Sequence, residues 1–568
     1  MWFAGNAEAL ALASSRRPHG CVAAFPELEA GSGAMSQAAV LSRALPLAAS
    51  RRVHVAGILL WALIAIGPLA ALSATAFASM ADVLEMAAYL IGRRWLGLLA
   101  KSIVLAGAVS TLAVALAVAL VRWTRSAPGR VPKRLVYLPL LLLLVPPYLH
   151  ATAWISAGVT VQNGLVQIGL QLPSVPGMIG VVWMQLVAVF PVALGFTLVG
   201  FRMTDPALTE AGRVFASDLV VFRKIEWPQM RATVLIGWVL ACLLSLADFS
   251  VPSLMQVEVF ALEAFVEYSI AADEVAALIV AFPHLLIGLA LMVSIAAPVR
   301  TLAIMPARPS GAGQAIGAAT SWSLRVPGQI AFGFALLQVA VPVIALGVAA
   351  LPLGNLASSI AENGREIVNS LITAGFSGAL SVVFALVALP MLTTVPRLAV
   401  VMIPLAVPAA LVGIGAIGLW TLPGLELLYN TAAMPVLVAV AQFSPVAILA
   451  LFVQAHRCDR TLIEAAQVYR GDGLATWRTI YLPLWAPGLW AGFFAVFGLT
   501  LTELTATLLV SPPGRQTLTV KIYSLLHYGA SDRVAALCLM VLLGSVAASA
   551  VVFAAMAGGQ RDGRRGSE

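Results

Sequence analysis

A chain of 568 residues that is 61% hydrophobic and only 10% charged is not an ordinary soluble protein, in which about a quarter of the residues carry charge. Its mean hydropathy of +0.97 calls for a bilayer. Continuous apolar runs of roughly 20 residues exclude a transmembrane barrel, whose strands are short and alternating. The net charge of +8 does not signal nucleic acid, because the basic residues sit in short loops between those runs.

Residues 1–34 are weakly hydrophobic, contain Pro18, Pro26 and several glycines, and do not read as a cleavable leader. Met35 is a second candidate start. Arg51 and Arg52 then anchor the first apolar run on the cytoplasmic side. Runs long enough to cross ~30 Å of hydrocarbon follow at about twelve places. They are 55–77, 99–121, 135–156, 177–199, 233–253, 276–298, 329–350, 369–391, 398–420, 433–454, 486–509 and 533–557. Pro139, Pro146 and Pro147 in the third run, and Pro404 and Pro408 in the ninth, predict kinked helices there.

Of the 33 Lys and Arg residues, 26 fall on the side of the termini and the even-to-odd loops, and 7 on the other. That asymmetry places both termini in the cytoplasm. Cys21, Cys242, Cys458 and Cys538 lie far apart with no CxxC and read as free thiols. A Gly413-x-Gly415-x-x-Gly418 string lies inside the ninth run, where close helix packing and not dinucleotide binding is expected.

The sequence repeats internally. Phe190-Pro191-Val192-Ala193 recurs as Ser444-Pro445-Val446-Ala447, and Asp205, Leu208, Glu210 and Ala211 recur 254 residues later as Asp459, Leu462, Glu464 and Ala465. After one inserted residue, Ile225 and Pro228 recur as Ile480 and Pro483, and Asp248 falls opposite Glu503. The expected fold is all-α and polytopic, with about 12 transmembrane helices as two parallel six-helix repeats. The boundaries are a cytoplasmic tail at 1–54, halves at 55–298 and 329–557, a linker at 299–328 with Pro306, Pro309, Gly311 and Gly313, and a short tail at 558–568.

The best-matched loop follows the fourth run of each half. In the first half it reads Glu210-Ala211-Gly212-Arg213-Val214-Phe215-Ala216-Ser217 and closes Ile225-Glu226-Trp227-Pro228. In the second it reads Glu464-Ala465-Ala466-Gln467-Val468-Tyr469-Arg470-Gly471 and closes Ile480-Tyr481-Leu482-Pro483. Asp205 or Thr209, and Asp459 or Thr461, are placed to cap a short helix. Small residues admit a close neighbour, Gly471 permits a left-handed turn, and the proline opens the next span.

This pattern resembles the EAA loop of ABC importer permeases. The resemblance implies a type I importer permease fold and coupling helices that sit in clefts of two separate ATPase subunits. It also implies a periplasmic solute-binding protein that delivers the substrate. The first copy departs from the pattern at Gly212, at Ala216 and Ser217, and by one residue in spacing. None of Lys101, Lys133, Lys224 and Lys521 follows glycine as in a P-loop, so ATP is expected on the partners, with no cofactor or catalytic residue in this chain.

Asp248 and Glu503 lie 20 residues after their prolines, ~30 Å along a helix and hence at the outer end of a span. They read either as helix-end acids at the periplasmic interface or as a pair facing the translocation path. The stretch from Glu503 to Gly514, with Thr517-Leu518 and Ile522-Tyr523, resembles ferric-iron-type permeases, as does Leu246-Ala247-Asp248-Phe249. That resemblance implies ferric iron as substrate, with thiamine, polyamine and phosphonate importers as relatives. A secondary transporter also has duplicated six-helix halves, but it usually buries coupling charges near the midplane, and few are found. A membrane enzyme would need a catalytic constellation that the spans lack.

Overall fold

The computed structural model describes residues 51–78, 93–126, 133–168, 170–171, 177–271, 273–304, 322–351, 353–458, 476–526 and 532–565. All of them belong to one of two compact units, Ala38–Glu568. Among the described residues every regular element is helical. Among the described residues nine helices are long and apolar enough to cross a bilayer, or twelve with each of three bent pairs counted as one span. These twelve match the twelve predicted runs one for one, and the chain is an all-helical polytopic membrane protein.

In the first half, α1 (Arg51–Ala65) and α2 (Gly67–Ala78) meet at a 59° bend. The unbroken α3 (Arg93–Ser126) follows. A 3₁₀ stretch (Lys133–Leu142) and α4 (Pro147–Gln167) then bend by 109° across Pro146 and Pro147. After α5 (Gly177–Met203) come the short α6 (Pro206–Phe215) and α7 (Asp218–Val221), a π turn (Phe222–Glu226) and α8 (Trp227–Ala247). The half closes with α9 (Ser250–Leu254), α10 (Phe260–Ala271) and α11 (Glu274–Ile304).

The order then repeats. The second half runs α12 (Trp322–Ala349), α13 (Leu353–Glu362) and α14 (Gly364–Ala388), then α15 (Val395–Ala406) and α16 (Ala409–Trp420), bent by 94°. It continues with α17 (Ala433–Arg457), a π turn (Trp477–Tyr481), α18 (Leu482–Thr502), α19 (Thr505–Val510), α20 (Leu518–Leu526) and α21 (Asp532–Arg565). The predicted kinks at the third and ninth spans are near right angles, because two residues at each break leave the helical region around their prolines.

Several boundaries differ from the sequence reading. The proline was expected to open the fifth and eleventh spans. Instead the helix continues back through the π turn, reaching Asp218 in the first half. Pro228 has no N–H for the carbonyl of Lys224, so the ladder shifts by one residue and the N–H of Trp227 bonds Phe222 O. Leu482 does the same to Trp477 O ahead of Pro483. At the other end both spans stop early, at Ala247 and Thr502. The expected linker is helical up to Ile304 and from Trp322, and α21 carries the helix into the expected tail.

The halves are consecutive in sequence but exchanged in packing. In each, three helices form a mutually packed core: α3, α5 and α8, then α14, α17 and α18. Yet α1 and α2 lie on α14, α16 and α17 of the second half, with Trp61 Nε1 donating to Ser444 Oγ at 2.9 Å. Reciprocally, α12 lies on α3 and α4, and Gln338 Nε2 donates to Val187 O at 2.8 Å. Phe334 of α12 stacks edge-on against Phe190 at 5.1 Å.

The glycine string on α16 serves this exchange. A Cβ on Gly415 would stand 2.3 Å from Pro68 O, one on Gly413 3.2 Å from Ala506 Cα, and one on Gly418 2.9 Å from Glu274 Oε2. Each glycine therefore admits a different helix. Gly415→Ala should lower stability by about 1–3 kcal/mol, because backbone and not a flexible side chain must move. Gly375→Ala, with nothing within 4 Å, should not lower it. Thermal unfolding of the two variants in detergent checks this.

Candidate functional site

The first of the two matched loops is fully described. Asp205 caps α6, its Oδ1 accepting from Ala207 N at 2.9 Å and Leu208 N at 3.4 Å. Thr209 instead points inward and donates to Asp205 O at 2.8 Å. Pro206 at the first helical position needs no donor there. The helix has two faces. Thr209, Gly212, Arg213 and Ala216 turn toward the protein, whereas Ala207, Leu208, Glu210, Ala211, Val214 and Phe215 are exposed.

Phe215 is 89% exposed and Val214 76%. The outward face of α6 thus consists of apolar and small residues carrying one carboxylate, on a helix too short to span. Gly212, where the family pattern has a second alanine, lies against Ile225. A Cβ there would be 2.4 Å from Ile225 Cδ1 and 3.4 Å from Val221 Cγ2. The departure from the pattern thus seats α6 directly on the π turn that leads to Pro228, itself exposed.

Charges tie this loop to α3, two spans earlier. Arg122, near the end of α3, donates to Asp218 Oδ2 at 2.9 Å and lays its guanidinium 3.9 Å from the centre of the Phe222 ring. Arg213 lies 3.5 Å from Asp218 Oδ1 and 3.8 Å from Glu226 Oε1, the latter on a carboxylate that is almost fully buried. Arg125 donates to Phe201 O at 3.1 Å, and Gln229 bridges Asp205 N and Ile225 O. Sequence reasoning missed Arg122, Asp218 and Glu226. The available signal was a basic pair, Arg122 and Arg125, just past a run whose one other charge is Lys101.

Glu464, Ala465, Ala466 and Gly471 of the second loop lie outside the described residues, as do its candidate caps Asp459 and Thr461. Its exit is described. Tyr481 occupies the place of Glu226, buried and 5.6 Å from the Trp485 ring, and Gln454 donates to Leu484 O at 3.0 Å, just after Pro483.

At the opposite end of α8 and α18 stand Asp248 and Glu503, both in extended conformation. Each ends a span and holds the short helix that follows. Asp248 Oδ1 accepts from Ser250 N at 3.0 Å and Ser250 Oγ at 2.6 Å, while Oδ2 accepts from Gln185 at 3.1 Å. Glu503 accepts from Ala506 N and Thr507 N, both at 2.8 Å, and from the Thr507 hydroxyl. The next residues meet across the halves: Phe249, Leu504 and Val520 form one buried cluster, and Phe249 lies 6.2 Å from the Tyr523 ring. The two breaks therefore converge on a single apolar contact.

No family model matches the chain. It is similar to the spermidine/putrescine transport system permease protein PotC of Escherichia coli K12, at 28% identity over 102 residues. That stretch is 18% of this chain and 39% of the relative. The proteins of the same name from Escherichia coli O157:H7 and Shigella flexneri match at the same identity and coverage. The chain spans about two fifths of the length of the curated relatives it matches.

Among the described residues, no group of three or more His, Cys, Asp or Glu side chains could hold a metal ion. Cys242, Cys458 and Cys538 are free thiols, and burial pushes the Cys458 thiol up to about 11. Cys21 lies outside the described residues.

Proposed function

We propose that this chain is both membrane halves of a binding-protein-dependent ABC importer, embedded in the bacterial inner membrane with its two ends in the cytoplasm. One observation carries the reading. In each half a single helix runs without interruption from a π turn beside the matched loop to an acid-capped break at the far end. In the first half that helix, from Asp218 to Ala247, has 30 residues, about 45 Å at ~1.5 Å per residue. A rod of this kind moves one end when the other is displaced. That is what import driven by outside ATPase subunits requires: force enters at the loops and the path opens or closes at the breaks.

The exposed face of α6 supports an ATPase subunit as its cover, and the matched second loop supports a second subunit. The likeness to PotC, although partial, supports the same class. On this reading the complex holds one copy of this chain, two ATPase subunits and one periplasmic binding protein. Native mass spectrometry of the purified complex tests the stoichiometry; two copies of this chain per complex would sink the fused-halves reading.

The substrate we propose is a small cation. Asp248 and Glu503 put two carboxylates beside the contact where the breaks meet. The segment between α8 and α11 carries Glu258, Glu263, Glu267, Asp273 and Glu274 with no Lys or Arg. A polyamine is favoured by the similarity to a spermidine/putrescine permease. Ferric iron is the second reading, resting on the resemblance of the stretch from Glu503 to Gly514. Uptake of labelled spermidine against ferric iron in proteoliposomes loaded with ATP separates the two.

A further inference from the structure

The first matched loop is joined to the membrane helices by charge, through residues that the second loop's sequence does not repeat. In the first half, the Arg122 guanidinium grips two consecutive segments at once: Asp218 at the start of α7, by an ion pair of 2.9 Å, and the Phe222 ring at the start of the π turn. Arg213 of α6 completes the joint by bridging Asp218 to the buried Glu226. The loop helix, the π turn and the end of α3 are thereby fastened to one another through four charges. The Arg122 side chain is only 10% exposed, so little of this attraction is screened by solvent.

The second half has an acid, Asp472, opposite Asp218, but none of the rest. Gln467 stands opposite Arg213 and Tyr481 opposite Glu226. The span equivalent to α3 ends Ala388-Leu389-Pro390-Met391, with no basic side chain before Arg397. Among the described residues at the second exit, Tyr481 packs on Trp485 and Gln454 bridges to Leu484 O.

We propose that Arg122 is the positioning residue of a charge latch in the first half, whose Arg213 and Glu226 have no charged counterpart in the sequence of the second half, and that it passes displacement of α6 to α3 and α8. The permease is therefore driven unequally by its two ATPase contacts: the first loop moves two membrane helices as one body, and the second acts through packing on α18. The inference rests on the importer reading above and adds to it an asymmetry that a duplicated chain need not have. A latch of this kind fixes how much loop movement reaches the spans without touching substrate or ATP.

The test is the number of ATP molecules hydrolysed per solute imported, measured on the full complex in proteoliposomes. Arg122→Gln should leave the ATPase subunits bound but raise that number about tenfold, as expected for losing a coupling between contacting residues. Arg122→Lys, which keeps the charge toward Asp218, should recover at least half of the loss. Asp218→Asn should resemble Arg122→Gln, and the double variant should be no worse than either single one. Asp472→Asn in the second half should change the number by less than about twofold.

If Arg122→Gln fails to insert, Asp218→Asn gives the same reading from a side chain that is 28% exposed. An unchanged number in Arg122→Gln or Asp218→Asn, strictly additive losses, or equal effects of Asp218→Asn and Asp472→Asn would overturn the latch. A wild-type chain that binds no ATPase subunit would overturn the importer reading itself, so the two failures are distinct.

Discussion

Phe215→Asp is expected to strip the ATPase subunit from the first loop while leaving the chain folded and inserted. Phe215 is the most exposed aromatic side chain described, at 89%, and ends the outward face of α6 beside Val214. Its removal disturbs no internal contact, so stability should stay within about 0.5 kcal/mol of wild type, as for surface changes generally. Covered by a partner it would be a buried anchor, and a carboxylate in its place would be desolvated without a counter-ion. Anchors of this type cost about 2 kcal/mol or more, roughly thirtyfold in dissociation constant. Phe215→Ala should give an intermediate loss. Titration of the detergent-purified chain with its ATPase, alongside a melting curve, reads both quantities; full affinity in Phe215→Asp would remove α6 as the docking surface.

Much of this was legible beforehand, and for identifiable reasons. Spans declare themselves because ~20 apolar residues have no other stable home, so all twelve runs were found. The Asp205 cap was legible because a side-chain oxygen before a proline-led helix has few other uses. The π turns were not. They arise from the missing N–H of Pro228 and Pro483, which by itself equally permits a helix start, and that start was the reading made. Nor was the exchange of first helices, since α1 carries no mark saying which half it will cover. The Trp61–Ser444 and Gln338–Val187 bonds that secure the exchange join residues 383 and 151 positions apart. The matching of Asp248 with Glu503 was visible as an offset. A helix-end position was one of their two readings, whereas the use of each acid's oxygens on the backbone of a following short helix was hidden, because the sequence carries no sign of a second helix starting there.

Neutralising both acids separates their two tasks. Asp248 and Glu503 hold α9 and α19 through hydrogen bonds, and they also place two carboxyl groups beside the cluster of Phe249, Leu504 and Val520. Asn keeps one oxygen for the two Ser250 bonds and Gln keeps one acceptor at 503, while the second oxygen of each acid becomes a donor. Asp248→Asn with Glu503→Gln therefore removes charge and keeps part of each cap. Asp248→Ala with Glu503→Ala removes both, costing about 1 kcal/mol of stability for each lost cap. If the carboxylates draw a cation toward the path, the Asn/Gln pair should import a polyamine or ferric iron severalfold more slowly, with a smaller loss of melting temperature than the Ala pair and binding-protein affinity unchanged. The acidic segment between α8 and α11 is intact in this variant, so docking of a basic partner surface is preserved. The Ala pair should lose stability as well as uptake. Wild-type uptake in the Asn/Gln pair, with a defect in the Ala pair alone, would make the acids caps and nothing more. A slower uptake in both would mean that the charge itself acts on a cationic substrate, since an anionic one would enter faster once the carboxylates were gone.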